Sequence, residues 1–230
     1  MLDIGKEDMK KIANEVEIEE LVDFYKNHKD IFVPFSSQKE RREIIKKIYN
    51  IFKFDSQPQL NTKIKFGVVN GPVVHRGISA DSKEELISYI NMFINGDVFY
   101  GGRASIYGTG IYTITGEDYI EARKYATAGL TSDIGIVITS VLTDDAEIIT
   151  SKEVNDIRDA IFDRIRKTYE GLDNYLNVLE DDGALAAILG YDAIYVEDKK
   201  YIVVLNRSKL IVFDNQIKHD LNRIPEQKSR

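Results

Sequence analysis

Tyr107-Gly108-Thr109-Gly110-Ile111-Tyr112-Thr113 is the stretch on which the fold of this chain turns. Two glycines flanking a threonine make a tight turn, and Ile111, Tyr112 and Thr113 then open a strand. A second marked stretch stands upstream: Gly71-Pro72-Val73-Val74-His75-Arg76-Gly77, an apolar run ending on a cation beside a glycine. Between them the spacing predicts one helix, from about Ser82 to Ile94. Ser82-Lys83-Glu84-Glu85 has the form of a capping box, and Leu86, Ile87, Ile90, Phe93 and Ile94 supply its buried stripe. An arginine at the end of one strand and a tyrosine after a Gly-x-Gly turn can together hold an anionic, flat-ringed ligand. The guanidinium grips phosphate as a fork, and the phenol face stacks on a ring.

Working outward, Gly96-Asp97 closes that helix, and Gly101, Gly102, Gly108 and Gly110 make residues 96–110 the most glycine-dense part of the chain. Such density marks turns or close approach of backbone to a ligand, and residues 95–107 are expected to cover a cleft or touch an acceptor. A second helix is expected from about Glu117 to Ala128, with Thr115 as N-cap, Tyr119, Ala122 and Ala126 on one face, and Gly129 as its stop. Ile134 to Leu142 reads as a buried strand and Ala146 to Ile149 as a short one. Ser151 is expected to cap a helix carrying Val154, Ile157, Ala160, Ile161 and Ile165. Asp182-Gly183 opens a short alanine-rich helix that Gly190 ends. Tyr191 to Val196, a turn at Asp198-Lys199-Lys200, Tyr201 to Leu205, and Leu210 to Phe213 complete the strands. The polar tail from Asn215 is expected to fray.

Toward the other end, Lys63 to Val69 alternates like a strand. Residues 1–60 read as helical, with Ile18, Leu21, Val22 and Tyr25 on one helix and Ile44, Ile45, Ile48, Ile51 and Phe52 on the next. Pro34 separates the two, and Asp55-Ser56-Gln57-Pro58 ends the section. Strands and helices interleave irregularly, so the class is α+β, with a helical section over 1–60 and a second unit over 61–230.

Composition narrows the function. At 43% hydrophobic and 30% charged, the 230 residues have the balance of a folded domain. No apolar run approaches the roughly 18 residues of a membrane span, so no membrane is expected among the partners. Met1 to Lys11 is polar and charged, so no signal peptide is expected, and with no cysteine the expected compartment is the cytoplasm. His28, His75 and His219 offer no metal-ligand spacing, so no metal is expected. A net charge of -7 opposes a broad grip on nucleic acid and tilts any macromolecular partner toward protein. Lys39, Arg41, Arg42, Lys46 and Lys47 form the densest basic run, but Glu40 and Glu43 interrupt it, as on a solvated helix face.

Three stretches, in this order along the chain, resemble the core of an ADP-ribosyltransferase over roughly residues 58 to 213. Val74-His75-Arg76-Gly77 resembles the aromatic-Arg-Gly motif of the arginine-type toxins, with histidine where an aromatic is usual. Tyr107 to Thr113, followed by a helix with Ala122 and Tyr125, is similar to the Gly-x-Gly-Ile-Tyr-Phe turn and helix of the poly-ADP-ribose polymerase branch. Gly190-Tyr191-Asp192-Ala193-Ile194 and Val203-Val204-Leu205-Asn206-Arg207-Ser208-Lys209-Leu210 resemble the closing hairpin of toxin and phage-encoded transferase domains.

The resemblance implies a split core of two mainly antiparallel sheets, and NAD as the ADP-ribose donor. It implies a mono-ADP-ribosyltransferase of phage or toxin type that moves ADP-ribose to a macromolecular acceptor and releases nicotinamide. By that analogy Arg76 holds the phosphate or ribose side of NAD, the Gly77 backbone pairs with the carboxamide, and Tyr112 stacks on the nicotinamide. His75, Gly108, Gly110 and Tyr125 complete the implied cofactor wall. The chain departs from the pattern at its closing strand. Lys200, Tyr201 and Ile202 stand where the toxins carry Glu-x-Glu. Glu197 and Asp198, one hairpin turn away, are the nearest carboxylates for the catalytic acid, with Glu197 the candidate, and Asp192 is another. Without such an acid the same fold would bind NAD, or a partner protein, and do no chemistry.

Overall fold

Strand formation follows the apolar runs, and among the described residues eight strands result: β1 (Gln59–Asn61), β2 (Val73–Ala80), β3 (Ile111–Thr115), β4 (Ile134–Leu142), β5 (Ile148–Thr150), β6 (Ala193–Val196), β7 (Tyr201–Val204) and β8 (Leu210–Phe213). Helices among the described residues include α1 (Gln38–Ile51), α2 (Lys83–Asn95), α3 (Tyr119–Thr127), α4 (Ser151–Thr168), α5 (Asp182–Ile188) and α6 (Asp214–Asn222). The computed structural model describes residues 20–21, 23–54, 59–61, 70–95, 106–127, 134–168 and 173–224. The expected strand over Lys63–Val69, the glycines at 96, 101, 102 and 129, and most of the expected cleft cover at 95–107 lie outside them. Among the described residues no helix is long and apolar enough to cross a membrane.

The architecture is α+β. The strands form a single eight-stranded sheet in the order β1-β8-β4-β2-β3-β7-β6-β5, where two sheets were expected. Every neighbouring pair is antiparallel except the outermost two, β1 with β8 and β5 with β6. The join in the middle is narrow. β2 pairs with β4 along its whole length, but meets β3 only at Val74↔Thr115 and His75↔Ile114. Beyond His75 the two strands part, while β3 stays bound to β7 back to Ile111. Two half-sheets therefore share one fork.

Helix starts show a recurring device. Ser37 accepts the Glu40 N–H at 3.3 Å, and the Glu40 carboxylate accepts the Ser36 N–H at 2.7 Å. Ser82 and Glu85 repeat it at the start of α2, with bonds of 3.1 Å to Ser82 Oγ and 3.0 Å from the Asp81 N–H. Each arrangement satisfies donors that a helix start leaves open. At α4 the cap is Thr150, one residue before the expected Ser151: its Oγ1 accepts the Glu153 N–H at 3.2 Å, and Glu153 accepts the Thr150 N–H at 3.0 Å. Thr115 makes no capping bond with its side chain. A 3-10 turn over Gly116–Asp118 intervenes, and Asp118 accepts the Glu121 N–H at 3.3 Å.

Apolar side chains divide between the faces. One cluster joins Leu21, Phe32, Ile44, Ile48 and Tyr49 to Ile157 and Ile161 of α4, Leu185 of α5, and Val203 and Leu205. The helical section thus shares its core with the second half-sheet. The other large cluster sets Leu86, Ile90 and Phe93 of α2 against Val74, Ile136, Ile138 and Val204. It also takes in Ile217, because the stretch expected to fray is helix α6, docked through Ile217 with Leu221 beside it. Two apolar residues four apart suffice to bury one face of a short helix.

Candidate functional site

The fork holds a cavity of about 310 Å³, lined by His75, Arg76 and Gly77 of β2, Tyr112, Thr113 and Ile114 of β3, Tyr125 of α3 and Tyr201 of β7. Its position follows from the ladder. Where β2 and β3 cease to pair, Arg76 and Gly77 face Thr113 and Tyr112 across open space. The Arg76 guanidinium crosses that space and donates to the Tyr112 carbonyl at 2.9 Å. Arg76 as a residue is half-buried, but protein crowds its head group. Burial, with the Arg207 guanidinium close by, lowers its pKa to about 10, so it stays charged at neutral pH.

On the β2 side the wall is backbone. A Cβ at Gly77 would stand 2.2 Å from the Ala122 carbonyl oxygen and 2.6 Å from the Ala126 nitrogen. Glycine there lets α3 lie directly on the strand, with Ala122 and Ala126 buried in the contact. His75 is buried; its Nδ1 lies 3.0 Å from Thr139 Oγ1, and its ring meets Tyr119 edge-on at 5.1 Å between centroids. Burial lowers its pKa below the usual histidine value, against a smaller opposing effect of a hydrogen bond to the Gly116 backbone. The ring is a neutral imidazole at pH 7.

On the β3 side the Tyr112 hydroxyl donates to the Gly108 carbonyl at 2.9 Å and accepts the Tyr107 N–H at 3.0 Å. Its polar end is spent on holding the turn, which leaves the ring as the part that faces the cavity. Across the opening, Tyr125 of α3, the helix that lies on β2, and Tyr201 of β7 join hydroxyl to hydroxyl at 2.9 Å. That bond comes first, with burial and the neighbouring Tyr125 and Glu121 charges adding to it, in raising the Tyr201 phenol to about 12. The Tyr201 phenol is protonated at neutral pH.

The turn itself is anchored from behind. Gly108 has φ +87°, and a Cβ there would stand 2.1 Å from the Gly183 nitrogen. Its conformational freedom serves a backbone-to-backbone contact with α5. Asp181, almost wholly buried, accepts the Thr109 N–H at 2.9 Å, the Thr109 hydroxyl at 2.7 Å, the Ala184 N–H at 3.0 Å and Arg41 at 3.1 Å. The Tyr49 hydroxyl donates to the Thr109 carbonyl. One carboxylate thereby fixes α1, the glycine turn and α5 to each other.

Of the residues singled out from the sequence, the structure brings His75, Arg76, Gly77, Tyr112 and Tyr125 to one cavity. Gly108 and Gly110 do not line it; they pack against Gly183 and Val203. Glu197 lies exposed in the β6–β7 turn and does not line it either. Asp192 is buried and accepts from the Asn206 amide at 2.7 Å and the Glu147 N–H at 3.0 Å, a structural knot at the start of β6. Sequence reasoning passed over Tyr201, Thr113 and Ile114 as wall residues, and Asp181 and Tyr49 as their supports. Tyr201 reaches the wall through the register Ile114↔Tyr201, which no local pattern encodes. Among the described residues no cluster of three metal-ligating side chains occurs. No protein-family model, curated protein or solved structure matches the chain.

Proposed function

We propose that the chain is an NAD-dependent mono-ADP-ribosyltransferase of toxin or phage type, acting at the fork between β2 and β3. The observation that carries this is the meeting of Arg76, Gly77 and three tyrosine rings around one cavity where the ladder opens. A volume of about 310 Å³ is at the lower end of small-molecule sites, ~300–1,000 Å³, and suits the nicotinamide-ribose half of a dinucleotide. The Tyr112 ring, held by its own hydroxyl, is the stacking face for a flat heterocycle. The edge of β2 at Gly77, no longer paired with β3 among the described residues, is the place for a carboxamide to hydrogen-bond backbone. Arg76 supplies the fixed positive charge for phosphate.

In this reaction the bond between nicotinamide and the anomeric carbon breaks, nicotinamide leaves neutral, and an acceptor nucleophile takes the ADP-ribosyl group as it loses its proton. Charge develops on the ribose, as in other glycosyl transfers. The acceptor is a macromolecule, and the acidic balance of the chain favours protein over nucleic acid. The rival is an NAD-binding module without turnover. One observation favours it: the described lining residues include no carboxylate. Calorimetry with NAD and an assay for released nicotinamide test both. Binding with release, each reduced at least ten-fold in Arg76→Ala, supports the transferase. Binding without release supports the rival, and no binding overturns both.

A further inference from the structure

His75 stands in the cavity wall with its ring fixed by two side chains, Thr139 and Gln216, that do not line the cavity. The Gln216 amide of α6 donates to Thr139 Oγ1 at 3.3 Å, and Thr139 Oγ1 lies 3.0 Å from His75 Nδ1. A hydroxyl has a single proton to give. Having accepted from Gln216, the Thr139 oxygen keeps that proton and a second lone pair, so it can meet Nδ1 as donor or as acceptor. The Gly116 backbone decides between them: its hydrogen bond opposes the effect of burial on the ring, and a carbonyl can only accept, so with Nδ1 facing Thr139 the imidazole proton falls on Nε2 and Nδ1 receives the Thr139 proton. The other neighbour, Tyr119, offers only its ring edge.

We propose that Thr139 and Gln216 are positioning residues, holding His75 as the neutral Nε2–H tautomer and so setting the shape of the cavity wall from helix α6. The two nitrogens are both committed inside the protein. What the ring shows the cavity is an uncharged face, so this end of the cavity takes the flat, neutral part of a ligand, and the anionic part belongs at Arg76. The ligand consequence rests on the function proposed above; the tautomer does not.

Nitrogen-15 NMR of the imidazoles tests this on the full chain, with His75 assigned against His28 and His219 by the variant His75→Gln. At pH 7.5 His75 is expected to show a proton on Nε2 and an acceptor Nδ1. Gln216→Leu and Thr139→Val are expected to shift Nδ1 toward the average of two tautomers, and Thr139→Ser, which keeps the hydroxyl, to restore the original signal. Gln216 is half-exposed, so its variant is the safeguard should Thr139→Val fail to fold. A proton on Nδ1 in the native chain, or signals unmoved in both variants, overturns the proposal. Where the native chain binds NAD, Gln216→Leu is expected to weaken it about five-fold; a shifted tautomer with unchanged affinity overturns the link from α6 to the cavity. A native chain that binds no NAD counts against the proposed function, and the tautomer measurement still decides this one.

Discussion

At Gly77 a single missing methyl group decides whether a helix can lie on a strand. The added Cβ of Gly77→Ala would meet Ala122 and Ala126 backbone atoms that belong to the helix itself, and a helix backbone cannot give way locally. The substitution is expected to cost about 3 kcal/mol, measurable by urea denaturation, and to widen the fork. His75 makes a second case at this scale. Its folded pKa lies below the unfolded value, so over the range where only the unfolded chain binds the proton, stability rises with pH. The contribution is complete above the unfolded value near ~6.5 and is lost as pH falls through the lower folded value. Urea midpoints of the native chain should drop between pH 7 and pH 5 by more than those of His75→Gln. An equal drop in both would remove His75 from the account.

Among the elements, α6 is the one whose existence has the most consequence for the half-sheet it covers. Ile217 is buried against the cluster that backs β2, β4 and α2, so Ile217→Ala should cost about 2–4 kcal/mol in thermal or chemical denaturation. The stretch from Asn215 looked polar because only Ile217, Leu221 and Ile224 interrupt it, and so thin a stripe is visible only once its docking surface is known. Elements whose signal is local were legible: β4 spans Ile134–Leu142, and the helix expected from Ser82 to Ile94 is Lys83–Asn95. The three residues of β1 were not legible, because their strand character comes from pairing with β8. The same divide holds in the cavity. Arg76, Gly77 and Tyr112 stand out by residue type beside glycine turns. Tyr201 looks like any strand tyrosine until its register with Ile114 is known, and the exposure of Glu197 follows from how the β6–β7 hairpin sits.

For the whole molecule, the sheet counts as one by its hydrogen bonds and as two by its packing, with the cavity at the seam. A ligand that contacts both half-sheets binds the folded chain alone, so it must raise the melting temperature, and the stabilisation grows as the logarithm of one plus its free concentration over Kd. The Asp181 carboxylate bears on how that architecture comes into being. Its bonds to Arg41 and Thr109 close stretches of 140 and 72 residues. Closing such long loops is entropically dear before other contacts have drawn the chain together. The glycine turn beside the cavity is therefore expected to lock after the half-sheets have assembled, as a late step on the folding path. In stopped-flow measurements Asp181→Asn should hasten unfolding and leave the rate of folding nearly untouched. A nascent chain still short of Asp181 would have its strands from β2 to β4 in hand and only the hydroxyls of Tyr49 and Tyr112 to hold the turn in place.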